Sequence, residues 1–356
     1  MRVVSVVGAR PQFVKLAPIH RELKRRGAEH VIVHTGQHYD ALLSDVFFDD
    51  LEIPSPDVQI PPRPGTPGQQ VGRMLAKLDP ILAAAEADWV LVYGDTNSTL
   101  AGALSAAKLG LPLAHLEAGL RSYNRHMPEE LNRLLTDHAS DLLLAPTEAA
   151  ALQLQREDVA GTIAITGDVM VDVLQETLQK GATTNPLLAD LGLMPGEYYL
   201  ATVHRAENTD EVGRLEGILD SLGTLDLPVV LLAHPRLADR CEAAGLSMAR
   251  GTMIPHPPLP YPQLLAALTQ AKGLVTDSGG LQKEAFLLGI PCTTIRSETE
   301  WPETLTGSWN VLVEPGAELQ SAVLRPVPKP PEEKPYGDGH AASAVVDALM
   351  DRRGLV

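Results

Sequence analysis

The chain has 356 residues, a formal net charge of −16 at pH 7, 44% hydrophobic residues and 21% charged residues. This composition excludes a disordered chain, and the acidic balance argues against nucleic-acid binding, which relies on net basic faces. The sequence has no apolar run of the roughly 18 residues needed for a transmembrane helix, no secretory cleavage pattern and no metal-ligand spacing at its two cysteines. We therefore expect a cytoplasmic protein that binds no membrane and no metal.

The first half of the chain alternates short apolar runs with helical patterns. The runs are RVVSVV, HVIVH, DWVLVY, LPLAHL, DLLLA and TIAIT. Most are apolar throughout, which is typical of parallel strands covered by helices on both faces. A second series follows with YYLATV, LPVVLLA, GTMIPH, GLVTD and IPCTTI. Because a single core stops growing near this length, the predicted fold class is α/β with two Rossmann-like domains.

The predicted domain boundary lies at TGDVMVDVL, where Gly167 ends a strand. The first domain is expected over residues 1–166 and the second over residues 167–339, with a cleft between them. Ligands of open α/β sheets bind at the carboxyl ends of strands, so the polar strand ends are expected to meet at this cleft. These ends carry Arg10, Asp95, Glu117, His204 and Ser278. The proline-rich IPPRPGTPG at residues 60–68 predicts a restricted loop and a candidate lid.

Two cations follow the first predicted strand, in GARPQFVKLAP. A proline near the start of a helix leaves Arg10 and Lys15 close to the sheet edge, where both suit an anion. The alternatives are a surface ion pair for Arg10 and a solvated helix face for Lys15.

Two carboxylates end neighbouring predicted strands. Asp95 lies in VYGDTNST before a helix start, and its alternative role is to cap that helix. Glu117 ends the next strand in HLEAG, and its alternative is a plain turn residue.

The segment MPEELNRLL predicts a helix whose first turn contains Glu129. The helix dipole favours an acid there, and an i, i+4 ion pair from Glu129 to Arg133 is a structural alternative to a chemical role. Leu131, Leu134 and Leu135 are predicted to form the buried stripe. If Glu129 converges with the two strand-end acids, the set suits removing a proton from carbon and returning it.

The second half offers two candidate phosphate contacts. TVHRAENT ends a strand with His204 and Arg205, although a histidine at such a place is often structural. In TDSGGLQKEA, Ser278 is a natural N-cap, and Gly279 and Gly280 let a phosphate approach backbone N–H groups at the start of a helix. Glu284 would then accept the hydroxyls of a ribose. The alternative is a capped helix with a tight turn.

Seven motifs occur together between residues 8 and 339: GARPQFVKLAP, VYGDTNSTLAG, HLEAGLRS with MPEELNR, TVHRAEN, TDSGGLQKEA, TEWPET and PYGDG. In this combination the chain resembles the non-hydrolysing UDP-N-acetylglucosamine 2-epimerase family. The resemblance implies a GT-B-like pair of Rossmann-like domains, a C-terminal helix (about 340–356) that returns to the first domain, a homodimer and a UDP-sugar substrate. It implies no metal and no other cofactor.

The resemblance also implies a reaction and its residues. The C2 proton is removed while UDP leaves by anti elimination, and re-addition to the 2-acetamidoglucal reprotonates C2 from the other face. Asp95, Glu117 and Glu129 would be the acid and base groups, and His204 would contact the diphosphate or assist its departure. The substrate-binding positions implied are Arg10, Lys15, Arg133, Arg205, Ser278, Gly279, Gly280 and Glu284.

The chain departs from the family pattern at several positions. Gln12 replaces a carboxylate, TEWPE replaces the commoner TERPE, and Ala206 stands where an arginine is frequent. These variants resemble a subgroup that includes epimerases of modified sugars such as the 2,3-diacetamido glucuronic acid derivative. Gln37, Arg73 and His234 match a second, allosteric nucleotide site, but Tyr39 and Asp40 replace its usual arginine and glutamine, and a carboxylate there would weaken diphosphate binding.

Three other functions share parts of these motifs. A GT-B glycosyltransferase would need an acceptor, a hydrolysing epimerase would release free sugar and UDP, and a catalytically silent protein would bind the UDP-sugar without exchange at C2. The presence of all three acids favours the epimerase.

Overall fold

The structure is a computed structural model that describes residues 1–37, 53–180, 185–329 and 334–351. The chain divides into two compact units, Met1–Gln175 with Lys334–Val356, and Glu176–Glu333. Each unit contains one parallel sheet with helices on both faces. The predicted α/β class with two Rossmann-like domains is therefore confirmed.

The first unit contains a seven-stranded sheet. Its strands are β1 (Arg2–Val7), β2 (Glu29–His34), β3 (Val58–Gln59), β4 (Trp89–Tyr93), β5 (Leu113–Leu116), β6 (Leu142–Ala145) and β7 (Thr162–Ile165), in the order β3-β2-β1-β4-β5-β6-β7. Its helices begin with α1 (Arg10–Arg25), α2 (Pro67–Ala84), α3 (Asn97–Leu109), α4 (Pro128–Ala139), α5 (Glu148–Arg156) and α6 (Val169–Gln179). All strand pairs are parallel.

Strand β1 shows why the apolar runs form parallel strands. Successive side chains of a strand point to opposite faces. Val3 and Val7 pack in the cluster that contains α1, whereas Val4 and Val6 pack in the cluster that contains α2 and α3. The valines of this run are thus buried on both faces of the sheet.

The second unit contains a six-stranded parallel sheet. Its strands are β8 (Tyr199–Thr202), β9 (Val229–Leu232), β10 (Met253–His256), β11 (Gly273–Thr276), β12 (Cys292–Thr294) and β13 (Asn310–Leu312), in the order β10-β9-β8-β11-β12-β13. Its helices are α7 (Pro186–Leu191), α8 (Ala206–Thr209), α9 (Val212–Gly223), α10 (Pro235–Ala244), α11 (Tyr261–Thr269), α12 (Gly279–Leu288) and α13 (Ala317–Val323), with a 3-10 segment at Pro302–Ser308.

The last helix, α14 (Ala341–Met350), packs on the first unit. Its Val345, Val346 and Leu349 are fully buried in the same cluster as Leu16 of α1. The indole N–H of Trp89 in β4 donates a hydrogen bond to the carbonyl oxygen of Leu349 at 2.9 Å. The expected return of the C-terminal helix to the first domain is confirmed.

The division between the units differs from the expected boundaries at 166/167 and 339/340. Residues 167–175 and 334–339 belong to the first unit. Val169 lies in its core, and the N–H of Asp168 donates to the carbonyl oxygen of Tyr336 at 2.9 Å. The Asp172 carboxylate accepts the first N–H groups of α14 from Ala341 (3.1 Å) and Ala342 (2.9 Å). These contacts hold the start of α6 against the returning segment.

Each sheet has one point at which the strand order reverses, between β1 and β4 in the first unit and between β8 and β11 in the second. Ligands of open α/β sheets bind beside such switch points, at the carboxyl ends of the strands. Across the described ranges, no helix is both long and apolar enough to cross a membrane.

Candidate active site

The turn after β1 is fixed by Gln12, which sequence reasoning treated only as a departure from the family. Its side chain is buried; Oε1 accepts the N–H groups of Gly8 (2.7 Å) and Ala9 (3.0 Å), and Nε2 donates to the carbonyl oxygen of Tyr93 (2.9 Å). An ionised acid could accept both N–H groups but could not donate to Tyr93. Gln12 therefore joins the ends of β1 and β4. The side chain of Arg10 lies outside the described part of the chain.

Lys15 and Glu117 form a buried ion pair at the ends of β1 and β5. Their side chains are 13% and 6% exposed, so the alternative of a solvated Lys15 is wrong. Burial disfavours the charged ammonium, but the carboxylates of Glu117, Asp168 and Asp95 outweigh this and raise the pKa of Lys15.

Gly94 makes room for that pair. A Cβ atom at Gly94 would lie 3.2 Å from Oε2 of Glu117 and 3.6 Å from Nζ of Lys15, and its φ is +62°. Glu117 itself has φ +68°, which is uncommon for a residue with a side chain and costs on the order of 1 kcal/mol. Such backbone conformations persist where neighbouring contacts enforce them, often at functional sites.

Asp95, which follows Gly94, is held by α4. Its Oδ2 accepts a hydrogen bond from Nη2 of Arg133 at 2.5 Å, and its backbone oxygen accepts one from Nδ2 of Asn132 at 2.8 Å. Arg133 is 4% exposed and Asp95 is 30% exposed, so the carboxylate keeps an open side. The alternative cap role belongs to Thr96, whose Oγ1 accepts the N–H of Thr99.

Helix α4 buries its polar face, contrary to prediction. Leu131 and Leu135 are 48% and 43% exposed, so the predicted leucine stripe is wrong. The buried residues of α4 are Glu130, Asn132, Arg133, Thr136 and Asp137. Burying polar groups is tolerated when each finds hydrogen-bond partners. Hydrophobic periodicity cannot register this kind of packing.

Arg133 pairs with Glu130, and the alternative ion pair with Glu129 does not form. The distance from Nη1 of Arg133 to Oε2 of Glu130 is 3.1 Å. Glu130 also accepts hydrogen bonds from the N–H and Oγ of Ser122 (2.8 and 3.0 Å) and from the N–H of Tyr123 (2.9 Å). Glu129 is half-buried and makes no hydrogen bond or ion pair with another residue of the described ranges. Glu130 thus has the structural role that the sequence suggested for Glu129.

In the second unit, the turn after β11 begins α12. Oγ of Ser278 accepts the N–H of Leu281 at 3.4 Å, so Ser278 is the N-cap. A Cβ atom at Gly279 would lie 2.3 Å from Oε1 of Glu300, whereas one at Gly280 would lie 4.0 Å from its nearest neighbour, Oγ of Ser278. Oε1 of Glu284, a buried residue, accepts a hydrogen bond from the Tyr261 hydroxyl at 2.9 Å.

Asp277, a second residue that sequence reasoning missed, orients His204. It is fully buried, its Oδ1 lies 2.8 Å from Nδ1 of His204, and its carboxylate accepts the N–H of Arg205 and the side-chain amide of Asn208. Burial raises the pKa of Asp277, but these donors, His204 first, lower it below its usual value. With its proton on Nδ1, His204 turns Nε2 toward other partners. The signal in the sequence was the acid directly after β11.

The three candidate allosteric residues lie in different surroundings. Oε1 of Gln37 accepts the N–H of Ser98 (2.8 Å) at the start of α3, and Arg73 donates to the carbonyl oxygen of Pro64 (2.5 Å). Both residues line a cavity of about 400 Å³ in the first unit. His234 lies in the second unit with its ring 5.5 Å from that of His204, and burial lowers its pKa. Tyr39 and Asp40 lie outside the described residues.

Two parallel-sheet units with polar side chains at their switch points define an α/β protein of the GT-B-like class. The family model for UDP-N-acetylglucosamine 2-epimerase matches residues 21–350. The chain belongs to this family, which confirms the resemblance and the prediction of an isomerase-type enzyme.

Named relatives cover the chain almost completely. A UDP-N-acetylglucosamine 2-epimerase homolog of Methanococcus maripaludis is 43% identical over 99% of this chain and 100% of its own length. The UDP-2,3-diacetamido-2,3-dideoxy-D-glucuronate 2-epimerase of Pseudomonas aeruginosa is 41% identical over 98% and 99%. The crystal structure of Methanocaldococcus jannaschii UDP-GlcNAc 2-epimerase in complex with UDP-GlcNAc and UDP has a TM-score of 0.88, with 36% identity over 98% and 99%.

Proposed function

We propose that this protein interconverts UDP-N-acetylglucosamine and UDP-N-acetylmannosamine by inverting C2 of the sugar. The observation that supports the proposal most directly is the pair of carboxylates at the ends of β4 and β5, each beside its own cation. Asp95 is paired with Arg133, and Glu117 is paired with Lys15. Two acids in different surroundings suit one proton donor and one proton acceptor.

In the proposed reaction, a carboxylate removes the C2 proton. The electrons of the C2–H bond form a C1–C2 double bond, and the anomeric C1–O bond breaks with anti elimination of UDP. UDP then re-adds to C1 of the 2-acetamidoglucal, and C2 takes a proton on its opposite face. Asp95, Glu117 and Glu129 are the proposed acid and base groups. Arg133 would hold Asp95 in place, and Lys15 would hold Glu117.

The proposed nucleotide contacts come from the second unit. The Ser278 turn offers backbone N–H groups at the start of α12 to the diphosphate, and the helix dipole favours negative charge there. Glu284 is the proposed partner of the ribose hydroxyls. His204 and Arg205, with Arg10 of the first unit, are the proposed side-chain contacts of the diphosphate.

Incubation with UDP-N-acetylglucosamine in D2O tests this function. NMR should show deuterium at C2 and the mannosamine epimer as an intact UDP-sugar, without any acceptor. Asp95→Asn and Glu117→Gln should each slow deuterium entry at least about a hundredfold, the usual contribution of one acid or base. Binding of the UDP-sugar without C2 exchange in the unaltered protein would refute the proposal, and release of free sugar would indicate a hydrolysing enzyme.

The Pseudomonas relative supports a second candidate substrate, a 2,3-diacetamido glucuronate carried on UDP. In this chain Trp301 of the TEWPE motif is buried and stacks with Lys283, whose Nζ lies 3.8 Å from the ring centroid. A comparison of kcat/KM for the two UDP-sugars would separate the candidates. A higher value for the glucuronate derivative would replace the first proposal with the second.

The proposal extends to a cytoplasmic homodimer, with the exposed Leu131 and Leu135 of α4 as candidate contacts. Cys241 and Cys292 are both free and buried, in agreement with a reducing compartment. Light scattering would measure the mass in solution, and a monomeric mass would remove the dimer. Sigmoidal kinetics that become hyperbolic with added UDP-N-acetylglucosamine would support a regulatory site at Gln37 and Arg73.

A further inference from the structure

His115 in β5 is fully buried, and both nitrogens of its ring face oxygen atoms. Nδ1 lies 2.6 Å from Oδ1 of Asp137, and Nε2 lies 2.7 Å from the carbonyl oxygen of Gly94. A carbonyl oxygen has no proton to give, and neither has an ionised carboxylate. Each ring nitrogen must therefore donate, and a ring that donates twice is an imidazolium.

Asp137 is in surroundings that keep it ionised. Its Oδ2 accepts hydrogen bonds from Nη2 of Arg121 at 2.7 Å and from the N–H of Gly119 at 3.2 Å. Arg121 pairs in turn with Glu157 at 2.5 Å. His115, Asp137, Arg121 and Glu157 thus form a chain of ion pairs in which each charge lies beside one of opposite sign.

This buried pair touches both turns that carry the strand-end acids. The carbonyl that His115 contacts belongs to Gly94, directly before Asp95. The N–H that Asp137 contacts belongs to Gly119, two residues after Glu117. Gly119 and Glu117 both have positive φ, +85° and +68° respectively. One histidine and one aspartate therefore link the turn after β4 to the turn after β5.

We propose that His115 is a positioning residue: a buried imidazolium, paired with Asp137, that holds the Gly94 carbonyl and so fixes the turn of Asp95 relative to that of Glu117. It does not touch the reacting atoms. Its effect on the rate rests on the proposed function, since it acts through the two acids that would handle the proton. Its double protonation does not depend on any reaction.

NMR of the full-length protein labelled with 15N-histidine tests the protonation. His115 should show two ring N–H groups, one for each of its two acceptors, assigned by their loss in His115→Gln. A single ring N–H would overturn the inference. Because no substrate is needed, this measurement separates a failure of the inference from a failure of the proposed reaction.

Two amide variants form a matched pair for the positioning role. The side-chain nitrogen of glutamine can replace Nε2 and keep the bond to Gly94, whereas that of asparagine can replace Nδ1 and keep the bond to Asp137. Thermal stability should fall similarly in both. His115→Asn should lower kcat at least about tenfold more than His115→Gln, with KM within about threefold of the unaltered protein in each.

Equal values of kcat in the two variants, or a loss confined to KM, would show a merely structural histidine and refute the positioning role. If neither variant folds, the ring N–H signals of the unaltered protein are assigned by their nuclear Overhauser contacts instead. A single ring N–H on His115 then overturns the proposal, because such a ring cannot donate to both Asp137 and Gly94.

Discussion

Replacing Glu130 with glutamine tests whether the buried polar face of α4 holds the candidate site together. Glu130 is 2% exposed and accepts hydrogen bonds from Arg133, Ser122 and Tyr123. An amide has one acceptor oxygen. If that oxygen takes the place of Oε2, the amide NH2 group faces the N–H of Tyr123, and a buried donor loses its acceptor.

The expected cost follows from these contacts. A buried donor without an acceptor costs about 1–3 kcal/mol, and the hydrogen bond from Arg133 is about 1 kcal/mol weaker to a neutral amide oxygen than to a carboxylate. A loss of about 3 kcal/mol in the free energy of unfolding is therefore expected. For a unit of about 200 residues this lowers Tm by roughly 6–12 °C, which calorimetry or circular dichroism would resolve.

Glu129→Gln is the matched control. The side chain of Glu129 makes no hydrogen bond or ion pair within the described part of the chain. The Tm of the Glu129→Gln variant should therefore differ from that of the unaltered protein by no more than the equivalent of about 0.5 kcal/mol. Its C2 exchange should nevertheless slow about a hundredfold if it is one of the acids. An unchanged Tm for Glu130→Gln, or equal losses of stability in both variants, would refute the assignment of the structural role to Glu130.

Two further predictions concern stability. Gly279→Ala should lower Tm because its Cβ would lie 2.3 Å from a carboxylate oxygen. Gly280→Ala, whose Cβ would lie no nearer than 4.0 Å to another side chain, should raise stability by about 0.4–1 kcal/mol, and a similar effect of both would contradict the packing. Burial lowers the pKa of His30 to about 3, whereas a histidine in the unfolded chain titrates near 6.5. Between these two pH values the unfolded state binds one more proton at this residue than the folded state. The free energy of unfolding therefore falls as the pH is lowered. His30 should contribute about 2 kcal/mol to the loss from pH 7 to pH 5 in denaturant titrations, so the loss should be smaller by about this amount in His30→Gln and unchanged in His340→Gln, whose side chain is 79% exposed.

The strands could be predicted from the sequence because burial on both faces leaves long apolar runs. All eleven quoted runs contain a strand, from β1 to β12 without β3. The two strands that were missed, β3 and β13, have only two and three residues. Segments this short carry no recognisable period, and only their neighbours in the sheet make them strands.

The candidate site was predicted in part. Asp95 and Glu117 could be placed at a sheet edge because they follow apolar runs closely. Lys15 lies inside α1, and the sequence left open whether it faces this edge or solvent. Gln12 and Asp277 were missed because their roles come from hydrogen bonds to residues far away in the chain. Glu130 was missed because its partners Ser122 and Tyr123 lie in the irregular segment before α4, whose course a helical period does not predict. For the same reason the leucines of α4 were assigned to the wrong side: the helix is held by its polar contacts, which hydrophobic periodicity does not record.

The return of α14 to the first unit has a consequence for biosynthesis. Residues 1–175 leave the ribosome long before residues 341–350, which cover Leu16 and Trp89 in the completed core. During translation of the intervening unit, the apolar surface beneath α14 has no cover from its own chain. An expression fragment that stops at residue 175 would carry the same exposed surface and should aggregate, whereas joining it to residues 334–351 supplies the missing helix.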